Sequence, residues 1–235
     1  MSEGVRRIYL MRHGETLYQS QPHEGAGAIG GGVLTERGRA QIGALAELFG
    51  DVPLDRIYAS PLTRARETAQ IVAERKGMEV ALAPELREIS PAEAEIAGRE
   101  IGDVFAQVAA YFKNPDTAWD EPYLGGESFR QVRERAVRFI RSILDRPDWD
   151  TALLVGHGGV NNAIISHAIG ASSGRVFNVE QDFGCVNIID YVAGRPLVRL
   201  LNFTLYDQLK LDLRIHSLDV ILNLLRERGV IRDAG

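Results

Sequence analysis

Two histidines stand where short apolar segments of the sequence end, and a glycine follows each of them. His13 comes after Ile-Tyr-Leu-Met-Arg at residues 8–12, and His157 comes after Leu-Leu-Val-Gly at residues 153–156. An imidazole is nucleophilic in its neutral form, which is populated near pH 7. In open parallel sheets ligands bind outside the carboxyl ends of the strands, so two such histidines could meet in one pocket. Taken singly, either histidine is also explained as a hydrogen-bonded residue at the end of a strand.

Arginines accompany these histidines. Arg12 directly precedes His13, and Ser-Pro-Leu-Thr-Arg at residues 60–64 predicts a helix that begins at Ser60 and carries Arg64 in its first turn. The free backbone N–H groups and the positive end of the helix dipole lie there. Two guanidinium groups could therefore hold one phosphoryl group. The alternative is that Arg64 is solvated and pairs with nearby acidic residues.

The elements that must position these residues alternate along the chain. Short apolar, β-branched segments predict strands at residues 8–11, 56–59, 80–83, 152–155, 186–191 and 198–202. Helices are predicted to begin at Thr35, Ser60 and Ser128 and to cover about residues 100–112 and 218–225. Strands that alternate with helices imply an α/β fold, a three-layer α/β/α sandwich with a mostly parallel central sheet.

The chain is predicted to form a single domain over residues 1–235, because it contains no internal repeat and no linker rich in Pro, Gly or Ser. Residues 202–235 are predicted to form a C-terminal helical extension. Its apolar stripe is predicted to pack on the body of the domain, and a homodimer contact is the alternative. The stripe consists of Leu218, Ile221, Leu222 and Leu225.

Residues 20–32 and 89–126 fit the strand and helix patterns poorly, and such segments often cover or shape a site.

Composition and charge limit the classes of ligand. The 235 residues carry 27 Lys and Arg against 32 Asp and Glu, a net charge of −5, which argues against a binder of nucleic acid or of anionic membranes. A small anionic ligand is compatible with this balance, because a binding site depends on local charge. Cys185 is the single cysteine and is predicted to be a buried small residue, so neither a disulfide nor a cysteine-based zinc site is expected. No apolar run is long enough to span a bilayer and no signal peptide is recognisable, which predicts a cytoplasmic protein.

Short motifs in a fixed order resemble those of a known family. Arg-His-Gly-Glu-Thr at residues 12–16 and Gly-His-Gly-Gly at residues 156–159 carry the two histidines, and Ser-Pro-Leu-Thr-Arg-Ala at residues 60–65 carries the second arginine. From about residue 8 to about residue 169 the chain resembles the histidine phosphatase superfamily, the phosphoglycerate mutase-like phosphatases. The resemblance implies a phosphoglycerate mutase-like fold and a metal-independent phosphomonoesterase. Further matching motifs are Leu-Thr-Glu-Arg-Gly at residues 34–38, Leu-Arg-Glu at residues 86–88 and Gly-Glu-Ser at residues 126–128.

The resemblance also implies how the histidines and arginines act. His13 attacks phosphorus and carries the phosphoryl group as a phosphohistidine, which divides one displacement into two. Arg12, Arg64 and His157 surround the equatorial oxygens, together with the backbone N–H of Gly158. Neither a cofactor nor a metal ion is implied.

Glu88 is implied as the acid that protonates the leaving oxygen and then activates water. Glu85 remains an alternative, and Glu88 is preferred because it follows Leu-Arg, as the acid of the family does. Glu15 is predicted to orient the pocket rather than to transfer a proton. Gln19 stands where many family members have an asparagine that contacts phosphate, and it could make this contact with a longer reach.

The spacing of the motifs favours hydrolysis over mutase activity. Mutases of the family carry a long insertion between the acid and the second histidine, whereas residue 157 is 69 positions beyond residue 88 here. Because the acidic charge balance argues against nucleic acid, the expected substrate is a small phosphorylated metabolite. Three alternatives remain: phosphoglycerate mutase-type transfer primed by a bisphosphate, a non-catalytic phosphate-binding regulatory protein, and a metallohydrolase that uses His13 and His157. The last is disfavoured because no clustered ligand spacing accompanies these histidines.

Other suggestive residues are given structural roles. Residues 25–30 match the Gly-x-Gly-x-x-Gly pattern but lack the strand and helix that a dinucleotide site requires, so a loop bordering the pocket is predicted. His23 belongs to the same polar and glycine-rich segment and is expected to be solvated, with a contact to the substrate as the alternative. His167 and His216 are expected to be structural residues of helices. Arg87 and Arg99 are expected to be surface charges, with a contact to a second anionic group of the substrate as the alternative.

Overall fold

The computed structural model describes residues 4–17, 32–113, 119–171, 179–212, 215–227 and 229. None of the helices in these ranges is long and apolar enough to cross a lipid bilayer. The strands are β1 (Val5–Arg12), β2 (Thr16–Leu17), β3 (Val33–Leu34), β4 (Arg56–Ala59), β5 (Val80–Leu82), β6 (Thr151–Gly156), β7 (Val186–Val192) and β8 (Arg195–Phe203). The α-helices are α1 (Glu36–Phe49), α2 (Thr63–Lys76), α3 (Glu93–Ile96), α4 (Ile101–Lys113), α5 (Phe129–Leu144), α6 (Gly158–Ala168) and α7 (Ser217–Glu227). Short 3₁₀ helices cover Pro84–Leu86 and Tyr123–Gly125.

Six of the described strands form one sheet in the order β5-β4-β6-β1-β7-β8. The pairs β5–β4, β4–β6 and β6–β1 are parallel, whereas β7 is antiparallel to both β1 and β8. The connection from β7 to β8 is the two-residue turn Ala193-Gly194 with positive φ at both residues, and so short a turn joins antiparallel strands only. The predicted mostly parallel sheet is confirmed, with an antiparallel hairpin at one edge.

Helices cover both faces of this sheet because side chains alternate along its central strands. In β1, Ile8 and Leu10 belong to the apolar core on one face, and Met11 belongs to the core on the other face. In β6, Leu154 belongs to the first of these cores and Leu153 belongs to the second. Helices α4, α5 and α6 complete the first core, and α1 and α2 complete the second. The predicted three-layer sandwich is confirmed.

Two helices begin at the capping residues that the sequence predicts. The hydroxyl oxygen of Thr35 accepts a hydrogen bond from the backbone N–H of Gly38 at 2.8 Å, at the start of α1. Ser128 and Gln131 form a reciprocal capping box at the start of α5. Both caps therefore satisfy backbone groups that the first helical turn leaves without partners.

The predicted start of α2 at Ser60 is wrong. The helix begins at Thr63, and its N-cap is Leu62, so the proline at position 61 lies before the helix. The Ser60 hydroxyl instead accepts from the backbone N–H of Leu62 at 3.3 Å and pairs with Nε2 of His157 at 2.8 Å. Ser60 is therefore part of the turn that leads into the helix, and its side chain contacts one of the two histidines. Arg64 still falls in the first turn of α2.

The apolar stripe of α7 packs on the body of the protein, as the sequence predicts. Ile221 and Leu225 are buried against Phe183, and Leu218 contacts both this cluster and the core formed by α4, α5 and α6. Phe183 precedes β7 and lies near the carboxyl end of β1, where Gly184 donates its backbone N–H to the carbonyl of His13 at 2.9 Å. The late helix thus reaches the edge of the sheet where both histidines lie.

Cys185 is buried, in agreement with its predicted role as a small packing residue. Burial raises the pKa of its thiol to about 12, so the side chain is a neutral thiol at physiological pH. Its backbone carbonyl accepts from the N–H of Arg12 at 3.0 Å, which ties the segment before β7 to the end of β1.

Candidate active site

The pairing of β1 with β6 brings the two histidines together. The parallel register places Arg12 opposite Gly156, so the next residue of each strand continues on the same edge of the sheet. The ring centroids of His13 and His157 lie 5.1 Å apart, with 60° between the ring planes, and both side chains are buried. The sequence-based expectation that these histidines meet at one edge therefore agrees with the observed geometry.

Arg12 and Arg64 converge on His13 from two elements. Arg64 projects from the first turn of α2, and its Nε donates to Nε2 of His13 at 3.2 Å. The guanidinium of Arg12 lies 4.2 Å from the centroid of the Phe183 ring and donates through Nη1 to the carbonyl of Gln181. Both arginine side chains are buried, which strengthens their charge interactions with any anion in the pocket.

The hydrogen bonds of His13 determine its tautomer. Nδ1 faces the carbonyl oxygen of Gly14 at 2.8 Å, and a carbonyl only accepts, so Nδ1 carries the proton. Nε2 accepts the N–H of Arg64, so Nε2 holds the lone pair. Burial, together with the positive charges of Arg64 and Arg12, holds the pKa of His13 well below 6.5. The imidazole is therefore neutral at pH 7, with an unprotonated nitrogen directed toward the arginines.

His157 is also held in its neutral form. Burial and the positive charges of Arg64, Arg12 and Arg135 hold its pKa well below 6.5. Its Nε2 pairs with Ser60, while Nδ1 has no hydrogen-bonding partner among the described residues. Nε of Arg12 likewise has none there. Buried polar atoms without partners are rare, so these two atoms mark a place built for polar contacts beyond those within the chain.

We expect both imidazoles to stay neutral as the pH is lowered from 8 to 6 in the folded protein. In the unfolded chain each histidine titrates near 6.5, so the folded state is stabilised above that pH and loses stability as the pH falls from 6.5 toward the lowered folded pKa values. Titration of the imidazole ¹⁵N resonances by NMR measures this directly, with the urea-unfolded chain as the control. A midpoint near 6.5 for His13 or His157 in the folded protein would contradict the geometry described above.

Glu88 contacts the beginning of α6. Its carboxylate accepts the backbone N–H of Gly159 at 2.9 Å, of Val160 at 3.1 Å and of Ile89 at 2.9 Å. A Cβ atom at Gly159 would clash with the Glu88 side chain, so only glycine permits this close approach. The same pocket is lined by Glu88, Arg12, His13, Arg64 and Gly158.

Gly158 lies against the Arg12 side chain. A Cβ atom built on Gly158 would be 3.7 Å from Cζ of Arg12, which places the first residue of α6 beside the guanidinium. The first backbone N–H groups of a helix have no partner within the helix, and they are suited to bind an anion. The predicted phosphate contact at Gly158 therefore has the required surroundings.

The two candidate acids lie in different places. Glu88 borders the pocket with His13, whereas Glu85 borders a separate surface depression together with Arg87 and Arg138. Glu15 lies behind His13, where its carboxylate accepts the Thr35 hydroxyl at 2.9 Å. Gln19 and His23 lie outside the described residues.

Arg135 is a positioning residue that the sequence did not reveal. Its guanidinium contacts the Glu127 carboxylate at 2.8 Å and 3.0 Å, and it donates to the backbone carbonyls of Glu85 and Glu88. These bonds fix the segment that carries Glu88 against α5. The Gly-Glu-Ser motif at residues 126–128 pointed to this helix start, but only the folded chain shows that Glu127 holds Arg135.

His216 borders the pocket too, although the sequence predicts only a structural role for it. Its Nδ1 accepts the backbone N–H of Leu218 at 3.2 Å at the start of α7. His167 lies away from the pocket near the end of α6, half-buried, and burial is the main cause of its lowered pKa. Among the described residues, no group of three His, Cys, Asp or Glu side chains is placed to hold a metal ion.

The chain belongs to the histidine phosphatase superfamily (branch 1), whose family model matches residues 8–204. Among its relatives, the adenosylcobalamin/alpha-ribazole phosphatase of Salmonella typhimurium is 30% identical over 200 residues, which cover 83% of this chain and 96% of the relative. A probable phosphoglycerate mutase of Erwinia tasmaniensis is 30% identical over 168 residues, covering 70% and 75% of the two chains.

Solved structures show the same fold. A putative alpha-ribazole-5'-P phosphatase from Escherichia coli superposes with a TM-score of 0.65 at 28% identity, covering 84% of this chain and 96% of that one. A mycobacterial glucosyl-3-phosphoglycerate phosphatase in complex with inorganic phosphate gives a TM-score of 0.68 at 23% identity, covering 85% and 98%. These comparisons confirm the predicted family and fold, and they agree with the predicted class of enzyme, a phosphoric monoester hydrolase.

Proposed function

We propose that the protein is a phosphomonoesterase that hydrolyses a small phosphorylated metabolite through a phosphohistidine intermediate on His13. One observation carries the proposal: a neutral imidazole with its Nε2 lone pair directed at Arg64 shares a pocket with Arg12 and Glu88. This set supplies a nucleophile, two fixed cations and a carboxyl group within one buried site. Membership of the family and the phosphatase names of relatives support the same activity.

In the first step, Nε2 of His13 forms a bond to phosphorus while the bond from phosphorus to the ester oxygen breaks. Arg12 and Arg64 replace the hydration of the equatorial oxygens with fixed donors, because charge concentrates on these oxygens in the transition state. His157 and the backbone N–H of Gly158 add further donors. Glu88 in its protonated form gives a proton to the departing oxygen, which leaves as an alcohol.

In the second step, Glu88 takes a proton from a water molecule that attacks the phosphohistidine. The bond between phosphorus and Nε2 breaks, inorganic phosphate forms, and His13 returns to its neutral state. The hydrogen bond from Nδ1 to the Gly14 carbonyl persists through both steps and stabilises the positive charge on the phosphorylated ring. Glu88 thus acts first as an acid and then as a base.

The charges of the pocket favour hydrolysis over transfer between phosphorylated acids. Among the described lining residues, Arg12 and Arg64 are the only arginines or lysines, and both face His13. Arg87 lies in the separate depression with Glu85, and Arg99 donates to the Gln107 side chain at 3.0 Å. A substrate with an additional carboxylate would therefore find no arginine or lysine among these lining residues. The net charge of −5 likewise favours a small metabolite over nucleic acid.

We expect the protein to release phosphate from p-nitrophenyl phosphate at an unchanged rate after treatment with EDTA. The proposed chemistry uses only side chains and backbone groups of this chain, so removal of divalent ions leaves it intact. A loss of activity that zinc or magnesium restores would instead support a metallohydrolase built on His13 and His157. Faster isomerisation of 3-phosphoglycerate than its hydrolysis, in the presence of a bisphosphate primer, would support the mutase alternative suggested by the relative in Erwinia tasmaniensis.

A further inference from the structure

Helix α7 borders the pocket although it follows the part of the chain that the family model matches. The match ends at residue 204, and α7 begins at Ser217. Four residues in or just before the first turns of α7 nevertheless line the same pocket as His13. They are His216, Ser217, Leu218 and Ile221.

The helix is attached to the residues that surround His13. Ile221 and Leu225 pack against Phe183. The Phe183 ring lies 4.2 Å from the Arg12 guanidinium and 5.7 Å from the centroid of the His13 ring. The position of α7 is therefore coupled to the phosphate-binding end of the pocket through one aromatic side chain.

The first residues of α7 are fixed by a second set of contacts. Nδ1 of His216 accepts the Leu218 N–H, and Nε2 of His216 lies 3.5 Å from the Glu180 carboxylate. The next residue, Gln181, uses its carbonyl to accept from Arg12. His216 thus positions the helix start against the segment that also holds Arg12.

The wall that α7 helps to form is apolar. Val108, Tyr123 and Ile221 are buried residues of this lining. Leu218 and Val179 are half-buried and add apolar surface to the same lining. Outside the cluster around His13, Glu180 is the acidic residue among the described lining residues, and its carboxylate is paired with His216. Specific pockets combine such apolar walls with a few polar groups that orient the ligand.

We propose that α7 forms the wall that binds the leaving group of the substrate, and that this leaving group is an uncharged alcohol with an apolar, ring-sized part. The proposal rests on the phosphomonoesterase function given above. The phosphoryl group is held by the arginines, and the group beyond the ester oxygen lies against Leu218 and the other apolar residues of this lining. Glu180 disfavours an anionic group at this end. Leu218 is therefore a specificity-determining residue.

The test compares Leu218→Asn with Leu222→Asn in the full-length chain. Leu222 is on the same helix and is also half-buried, but it packs toward the Phe183 cluster and is not among the described lining residues. The substrates are benzyl phosphate and glycerol 3-phosphate, whose alcohols are similarly poor leaving groups. We expect the wild type to prefer benzyl phosphate in kcat/KM. Leu218→Asn should reduce this preference about tenfold, and Leu222→Asn should change it less than about twofold.

A third measurement separates this inference from the catalytic proposal. Benzylphosphonate cannot be hydrolysed, so its Kd reports on the wall even if the protein has no activity. We expect Leu218→Asn to weaken its binding about tenfold and to leave the Kd of inorganic phosphate unchanged. Equal effects of the two substitutions, or a wild-type preference for glycerol 3-phosphate, would overturn the role of α7. Absence of phosphate release from every ester, with the binding difference intact, would overturn the phosphatase function alone.

Discussion

Replacing His13 by alanine is expected to reduce phosphate release from p-nitrophenyl phosphate by about 10⁴-fold or more, the scale seen when a covalent nucleophile is removed. The effect is large because the Nε2 lone pair of His13 is the proposed nucleophile and lies beside Arg64 in the pocket. Alkali-quenched protein should also fail to retain the base-stable, acid-labile label that a phosphohistidine forms from ³²P-labelled substrate. Both measurements address the intermediate rather than binding alone.

Two further variants make this result interpretable. His13→Gln retains an oxygen that can accept from Nε of Arg64, so it separates loss of the nucleophile from disruption of the arginine, and we expect it to be inactive as well. His167→Ala removes a half-buried histidine away from the pocket, and it should retain full activity. Circular dichroism establishes folding of each variant. Normal turnover by a folded His13→Ala protein would rule out the phosphohistidine route.

Replacing Glu88 by glutamine is expected to reduce the hydrolysis of glycerol 3-phosphate by about 10²- to 10⁴-fold. The reduction with p-nitrophenyl phosphate should be less than about tenfold in the first step, because p-nitrophenolate departs without a proton from an acid. Comparison of kcat/KM for the two esters measures this difference. A burst of p-nitrophenol followed by slow turnover would show that the same residue also activates water in the second step.

Glu85→Gln is the matched control for this experiment. Glu85 is three residues away in the sequence but lies in the depression with Arg87 and Arg138, so its replacement should leave both rates near those of the wild type. The two carboxylate oxygens of Glu88 accept from the N–H groups of Gly159 and Val160, one each. Glutamine replaces one of these oxygens with an NH₂ group that cannot accept, so a small loss of stability is also expected. Equal losses on the two esters would indicate that Glu88 supports the structure without donating a proton.

Much of the site could be predicted because it is built from the ends of strands. His13, His157 and Arg64 follow apolar segments that are easily recognised, and parallel pairing brings the ends of such segments to one edge. A short motif favours Glu88 over Glu85 as the acid, and the structure places the two carboxylates in different surroundings. The carboxylate of Glu88 contacts the N-terminus of α6, whereas that of Glu85 borders a different surface.

The features that could not be predicted depend on contacts between distant parts of the chain. Local capping rules assign Ser60 to a helix start, but its hydroxyl pairs with His157, which is 97 residues away. An amphipathic pattern indicates that one face of α7 is buried, and it does not identify Phe183 as the residue it packs against. The role of Arg135 similarly requires that α5 lie beside the Glu88 segment.

The register of β1 against β6 has a consequence for how the chain acquires its chemistry. Arg12 and Gly156 are paired although more than half of the sequence separates them. Contacts of such high sequence separation form slowly, because the entropy of closing a long loop is lost before the contact stabilises anything. The first half of the chain carries Arg12, His13, Arg64 and Glu88, and the second half carries His157 and Gly158, so the proposed site is complete only when β6 has paired with β1. A state of the chain with correct helices but without this strand pairing therefore lacks the complete site.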